Sequence, residues 1–254
     1  DPPFPPPDLT MSGKALSGIQ KAAAADLCAS VREHKFHVAL LDGVTGSGKT
    51  EVYLEAAAEA LKSAPNAQVL VLLPEIALTQ SAMSRFEARF GVKPVEWHSA
   101  IQHKARRRAW REIAAGRARL IVGARSALFL PYPNLRLIVI DEEHDPSYKQ
   151  EEGVIYQARD MAVARAKLGD CMVVLASATP SLETLVNAQA GRYAHVQLPS
   201  RHGTAELPDV ELIDLKLDPP EKGRWLSPKL ITGAAQALLR GEQSLFYMNR
   251  RGYA

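Results

Sequence analysis

Gly43-Val44-Thr45-Gly46-Ser47-Gly48-Lys49-Thr50 is the stretch from which the rest of the chain can be read. It satisfies the pattern Gly-x-x-x-x-Gly-Lys-[Ser/Thr]. The apolar run Val38-Ala39-Leu40-Leu41 precedes it, and a helical pattern over residues 49–62 follows. Strand, glycine-rich turn and helix in that order are the context a phosphate-cradling loop needs. Glycines let backbone N–H groups turn inward around phosphate oxygens. The helix start adds the positive end of its dipole. Gly43, Thr45, Gly46, Ser47, Gly48, Lys49 and Thr50 are therefore the expected phosphate-binding set. Lys49 is expected to reach the β- and γ-phosphates of ATP, and Thr50 to hold Mg²⁺ through its hydroxyl.

Outward from this loop, short apolar runs alternate with helical patterns. Strands are expected at 38–41, 69–73, 92–97, 119–122, 135–140 and 172–176. Helices are expected at 49–62, up to the stop at Gly91, at 102–115 before Gly116, and at 180–190 with Thr179 as N-cap and Pro180 at the first helical position. Continuous apolar strands alternating with helices predict an α/β fold, a parallel sheet with helices on both faces. Residues 198–226 are less regular, with one strand-like piece at 210–215. A helix is expected from Ser227-Pro228 to Gly241, then a strand-like run at 245–248.

Two further strand ends carry polar groups. Leu137-Ile138-Val139-Ile140 runs into Asp141-Glu142-Glu143-His144. This puts carboxylates at the carboxyl edge of a parallel strand, where open α/β sheets bind ligands. Asp141 is expected to anchor Mg²⁺ and Glu142 to orient the attacking water, with Lys49, Asp141 and Glu142 as the catalytic set. Ser177-Ala178-Thr179 directly follows the run at 172–176.

Composition narrows the classes. The chain has 254 residues, 46% of them hydrophobic and 23% charged, which argues against wholesale disorder. No apolar window is long enough to cross a membrane. Two cysteines, Cys28 and Cys171, make neither a disulfide framework nor a four-ligand zinc site, and a cytoplasmic protein is expected. The net charge of +3 is too small to announce a nucleic-acid binder. Its distribution says more: eight Lys or Arg and one acid, Glu112, lie between Ser99 and Arg125.

The order phosphate loop, Asp-Glu-x-His, Ser-Ala-Thr resembles the superfamily 2 helicases, RecA-like P-loop enzymes. Further stretches resemble the replication-restart (primosomal) DNA helicases of that superfamily: Leu73-Pro74-Glu75-Ile76-Ala77-Leu78-Thr79, Gly123-Ala124-Arg125-Ser126-Ala127-Leu128-Phe129, Ser147-Tyr148-Lys149-Gln150, Ser177-Ala178-Thr179-Pro180-Ser181 and Asn249-Arg250-Arg251-Gly252-Tyr253. The resemblance covers most of the chain from about Leu16. It implies an ATP-dependent 3′→5′ helicase that restarts replication at stalled forks. It implies that Gln20 reads adenine and that His144, Ser177, Ala178 and Thr179 couple the nucleotide to DNA. It also implies that Thr79, Arg125, Ser126, Tyr148, Lys149, Tyr156 and Arg159 contact DNA, with Tyr148 and Tyr156 as stacking faces. The implied partners are single-stranded and forked DNA, primosome proteins and single-strand binding protein in a bacterial, nucleoid-associated setting, with no membrane. Zinc is implied only in a module downstream of Tyr253. At Val154-Ile155 the chain departs from the family, which often has Trp-Arg there.

The expected organisation is a proline-rich linker at 1–14, with five prolines in the first eight residues, a first helicase lobe at 15–226 and the start of a second at 227–254. The chain thus reads as a fragment at both ends, its own ATP turnover weakened because the arginine fingers belong to the second lobe. Rival readings are a non-catalytic docking lobe and another superfamily 2 motor such as an RNA helicase.

Overall fold

The computed structural model describes residues 3–201 and 209–247. The chain divides into two compact units, 1–205 and 206–254.

In the first unit, α1 (Gly18–Arg32) leads into β1 (His37–Gly43) and α2 (Lys49–Lys62). Then come β2 (Gln68–Leu72), α3 (Gln80–Phe90), β3 (Val95–Trp97), α4 (His103–Ala114), β4 (Leu120–Gly123) and β5 (Leu135–Asp141). A two-stranded hairpin, β6 (Lys149–Gln150) and β7 (Tyr156–Gln157), precedes α5 (Ala158–Gly169), β8 (Met172–Ser177), α6 (Leu182–Gln189) and β9 (Ala194–Leu198). Seven strands form one sheet in the order β3-β4-β2-β5-β8-β1-β9, with every pairing parallel.

Successive strand residues feed opposite faces of the sheet. Leu41, Val69, Val71, Val122, Val139 and Val174 pack with α1, α2 and α3. Val38, Leu70, Ile121, Ile138, Ile140 and Val173 pack with α4 and α5. Helices on both faces explain the unbroken apolar runs. α2 is buried along most of its length, and Ala56, Ala57, Ala58 and Ala60 are essentially without exposed surface. These small side chains let the helix lie close beneath α1 while packing on the sheet.

The expected architecture is present, with local differences. β3 begins at Val95 because Pro94 offers no N–H to the ladder. α6 is capped by Ser181, whose side chain accepts from Thr184 N, and not by Thr179. Thr179 N instead donates to Ser177 Oγ at 3.0 Å. β9, absent from the sequence reading, is a sheet edge of mixed exposure. The segment at 3–14 is extended but packed. Phe4 lies under the Arg108 guanidinium, Leu9 joins the opposite core, and Met11 O accepts from Arg89.

In the second unit α7 (Pro228–Leu239) starts where expected, with Ser227 Oγ accepting from Leu230 N. No strand forms at 210–215 or at 245–247. Met248 and the Asn249–Tyr253 stretch lie outside the described residues. Among the described residues no helix is long and apolar enough to cross a membrane.

Candidate nucleotide site and nucleic-acid cleft

β1, β8 and β5 are neighbours, so their carboxyl ends meet. Register pairs Asp42 with Ser177 and Ala176 with Asp141, which sets Ser177 between the glycine-rich loop and the acidic strand end. The loop turns sharply, with positive φ at Gly46 (80°) and at Gly48 (84°), the N-cap of α2. A side chain at either position would be strained. Gly43 is needed for another reason: a Cβ there would stand 2.6 Å from Ser47 Oγ and 3.0 Å from Leu198 Cβ. Ser47 Oγ is buried with no protein partner, and Lys49 Nζ donates to Gly43 O at 2.8 Å. A glycine-built turn, an orphan hydroxyl, a lysine and a helix start together fit a phosphate chain.

Gln20 is buried against this loop. Its Nε2 donates to Ser47 O at 2.8 Å, and its Oε1 accepts from Ser17 N at 2.8 Å. Both ends of the amide are thus held by protein, so it braces the phosphate loop from α1. The cavity beside it is about 350 Å³ and is lined by Gln20, Gly48, Lys49, Thr50, Asp141 and Glu142. Arg85 of α3, not singled out from sequence, also lines it and donates to Thr50 Oγ1 at 3.3 Å.

Asp141 Oδ2 accepts from the Tyr53 hydroxyl at 3.0 Å. Burial, with the neighbouring Glu142 charge adding to it, pushes the Asp141 carboxyl up to about 6. A divalent cation would relieve that cost. Glu142 sits in the left-handed region at φ 49°, uncommon for a residue with a side chain. Beyond it, His144 Nδ1 lies 2.7 Å from Ser177 Oγ, so the acidic strand end and the Ser-Ala-Thr turn are in contact. Ala178 and Thr179 continue that turn.

A second cleft, of about 270 Å³, opens at the carboxyl ends of β2 and β4. Glu75, Ser99, Arg106, Arg125, Ser126 and Tyr156 line it. Arg125 donates to Ser147 O at 2.8 Å and Lys149 O at 2.7 Å, which ties the cleft to the hairpin segment. Ser126 is exposed. Thr79 caps α3 through its side chain. Lys149 is exposed and pairs with Glu151 at 3.1 Å. Tyr156 is half-buried, edge-on to the exposed Phe129 at 5.0 Å. Val154 and Ile155 are exposed at the hairpin tip.

Two residues expected to face DNA do not. Tyr148 is 1% exposed, and its hydroxyl lies 2.7 Å from Asp141 O and 3.0 Å from Leu72 O. It has no free face for a base. Arg159 is also buried and pairs with Glu143 at 3.2 Å. The basic run divides as well. Arg119 is spent on the carbonyls of Leu61, Ala64 and Ala67. Arg117 pairs with Glu112, Arg106 lies over Trp97, and Trp97 is a core aromatic. Lys104, Arg107 and Arg111 remain exposed on α4.

Residues 17–188 match the DEAD/DEAH box helicase family, and the chain belongs to it. Replication restart protein PriA of Rickettsia felis is 44% identical over 215 residues, 85% of this chain and 33% of that protein. The protein of the same name from Chlamydia pneumoniae is 44% identical over 254 residues, 98% of this chain and 33% of its own length. That from Bacillus subtilis is 40% identical over 240 residues, 94% of this chain and 30% of its own length. The chain spans about a third of the length of these curated relatives. RecG bound to a three-way DNA junction superposes with a TM-score of 0.55 at 19% identity, over 75% of this chain and 24% of that one. The Pyrococcus furiosus Hef helicase domain gives 0.50 at 20% identity, over 73% and 38%. These structural likenesses speak for the fold alone, a RecA-like α/β fold.

Proposed function

We propose that this DEAD/DEAH box helicase chain is the ATP-binding first lobe of a replication-restart DNA helicase, one that moves 3′→5′ on DNA and acts at stalled forks. The observation that carries the reading is the convergence of Lys49, Thr50, Asp141 and Glu142 on one cavity beside a glycine cradle. The extended similarity to proteins named for replication restart supports the substrate and the setting.

The residues present divide the work. The loop N–H groups, Ser47 and Lys49 hold the phosphates. Thr50 and Asp141 would hold the metal, and the Tyr53 hydroxyl fixes the Asp141 carboxylate by a hydrogen bond. Bound Mg²⁺ supplies positive charge that neutralises what develops on the transferring phosphoryl group. Glu142 orients the attacking water. His144 and Ser177 carry the state of the site to the Ser-Ala-Thr turn. Thr79, Arg125 and Ser126 hold a DNA backbone without reading its sequence, and Tyr156 with Phe129 offers the aromatic surface. The segment at 1–14, the lobe up to 226 and the start of a second lobe from 227 are parts of that longer motor, which works with primosome proteins and single-strand binding protein in the bacterial cytoplasm. Arginine fingers from the second lobe complete hydrolysis, so the chain alone turns ATP over slowly. Zinc belongs to a downstream module.

The test is ATP hydrolysis by the longer protein carrying this chain, with forked DNA, single-stranded DNA and RNA as stimulants. Strong stimulation by forked DNA that Glu142→Gln abolishes is expected. Stimulation by RNA alone would replace the reading with that of an RNA motor. Absence of nucleotide binding would leave only a docking lobe.

A further inference from the structure

Glu143 is not needed for any step above, yet it has no exposed surface and its carboxylate accepts four hydrogen bonds. Its Oε1 accepts from Ser181 N at 2.7 Å. Its Oε2 accepts from Ser181 Oγ at 3.0 Å, Thr184 Oγ1 at 3.1 Å and Arg159 Nη1 at 3.2 Å. Its backbone N donates to Ala176 O at 3.0 Å. One carboxylate thus joins the end of β5, the first turn of α6 and the first turn of α5.

A buried charge is a costly way to glue three segments, and an apolar contact would hold them more cheaply. What the charge adds is position. Glu142, the preceding residue, has a left-handed backbone that its own side chain does not favour. Neighbouring bonds hold it there: Asp145 N donates to Glu142 O at 2.8 Å, and Glu143 is fixed on both sides. α5 begins directly after β7 of the hairpin whose tip carries Val154 and Ile155. Arg159 is also contested, since Asp160 at 3.1 Å and Glu183 at 3.8 Å compete for its guanidinium. Arg159 thus stands in the chain two residues beyond β7 and is bonded to Glu143.

We propose that Glu143 is a positioning residue that sets the placement of Glu142 and, through Arg159, makes that placement depend on the hairpin segment. This rests on the reading of Glu142 as the residue that orients water. It predicts that the bonds to Glu143 govern stimulation of hydrolysis by DNA and leave nucleotide affinity untouched.

The test uses the longer protein carrying this chain, ATP with Mg²⁺, and a single-stranded oligonucleotide. Glu143→Gln keeps the shape and the bond from Ser181 N but loses the charge facing Arg159. It is expected to bind ATP within threefold of wild type, keep KM for ATP within threefold, and lose at least tenfold in DNA-stimulated kcat. Arg159→Ala is expected to give a similar loss, and the double variant little more. A merely structural role would lower the melting temperature and the active fraction but keep the ratio of stimulated to basal kcat at the wild-type value, and that result overturns the proposal. If Glu143→Gln does not fold, Thr184→Val removes a single donor. At least a threefold fall in the stimulation ratio then supports the proposal, and an unchanged ratio overturns it. Glu142→Gln is the control. Hydrolysis surviving in it overturns both this inference and the reading beneath it, whereas a dead Glu142→Gln beside an unaffected Glu143→Gln removes this inference alone.

Discussion

Asp141 is the residue where folding and function pull apart. Its carboxyl is pushed up to about 6 by burial and by Glu142, well above the usual carboxylate value. A group raised in this way favours the fold fully below pH 4, where it is protonated in both states, and that contribution is lost as pH rises through about 6. At neutral pH the nucleotide-free chain therefore carries an unfavourable charge. Asp141→Asn keeps an acceptor for Tyr53 and removes that charge. It is expected to stabilise the nucleotide-free chain at pH 7.5 by on the order of 1–3 kcal/mol, with the gain vanishing near pH 4. Urea unfolding at both pH values measures this, and equal stability at pH 7.5 would refute it. Tyr148 gives a second residue-scale expectation. Tyr148→Phe leaves two buried strand-end carbonyls, Asp141 O and Leu72 O, without its hydroxyl. A stability loss of about 1–2 kcal/mol is expected in the same assay, whereas a free stacking tyrosine would give none.

At the scale of elements, α2 shows how sequence and packing meet. Its alanines are essentially without exposed surface. Ala57→Leu is expected to cost about 1–3 kcal/mol by overpacking, read as a lower urea midpoint with unchanged slope. What could be read from sequence at this scale was local. The glycine-rich loop, the strand before it, the helix after it and the acids ending β5 each follow from a few consecutive residues. What could not be read depends on distant partners. Glu143 meets Ser181 and Arg159, 38 and 16 residues away, and no spacing rule announces that. Tyr148 and Arg159 have the composition of a nucleic-acid surface, but composition does not tell an outward ring from one turned beneath a strand end. Thr179 and Ser181 are both cap residues by type, and the bonds that Thr179 N and Ser181 N donate to Ser177 Oγ and Glu143 Oε1 place them. β9 was missed because an edge strand of mixed exposure lacks the apolar run that marked its neighbours.

On the scale of the whole first unit, the parallel sheet brings the ends of β1, β5 and β8 to the cavity beside the glycine-rich loop and those of β2 and β4 to the second cleft, on one edge. Tyr148, bonded to Asp141 O and lining the second cleft, and Arg125, bonded to the hairpin segment, connect the two. The segment at 3–14 belongs to this body, since Phe4 packs with one face and Leu9 with the other. Removing residues 1–11 is expected to lower stability by on the order of 1–3 kcal/mol, measured by urea unfolding. A freely hanging linker would leave it unchanged.

The central claim is that Lys49, Thr50 and Asp141 form a working nucleotide site, with Glu142 acting only in turnover. Calorimetric titration of ATP–Mg²⁺ into the chain, wild type beside Lys49→Ala and Glu142→Gln, tests it most directly. Binding is expected for wild type and Glu142→Gln alike, with a loss of tenfold or more for Lys49→Ala. Binding that ignores Lys49→Ala, or no binding at all, would contradict the account.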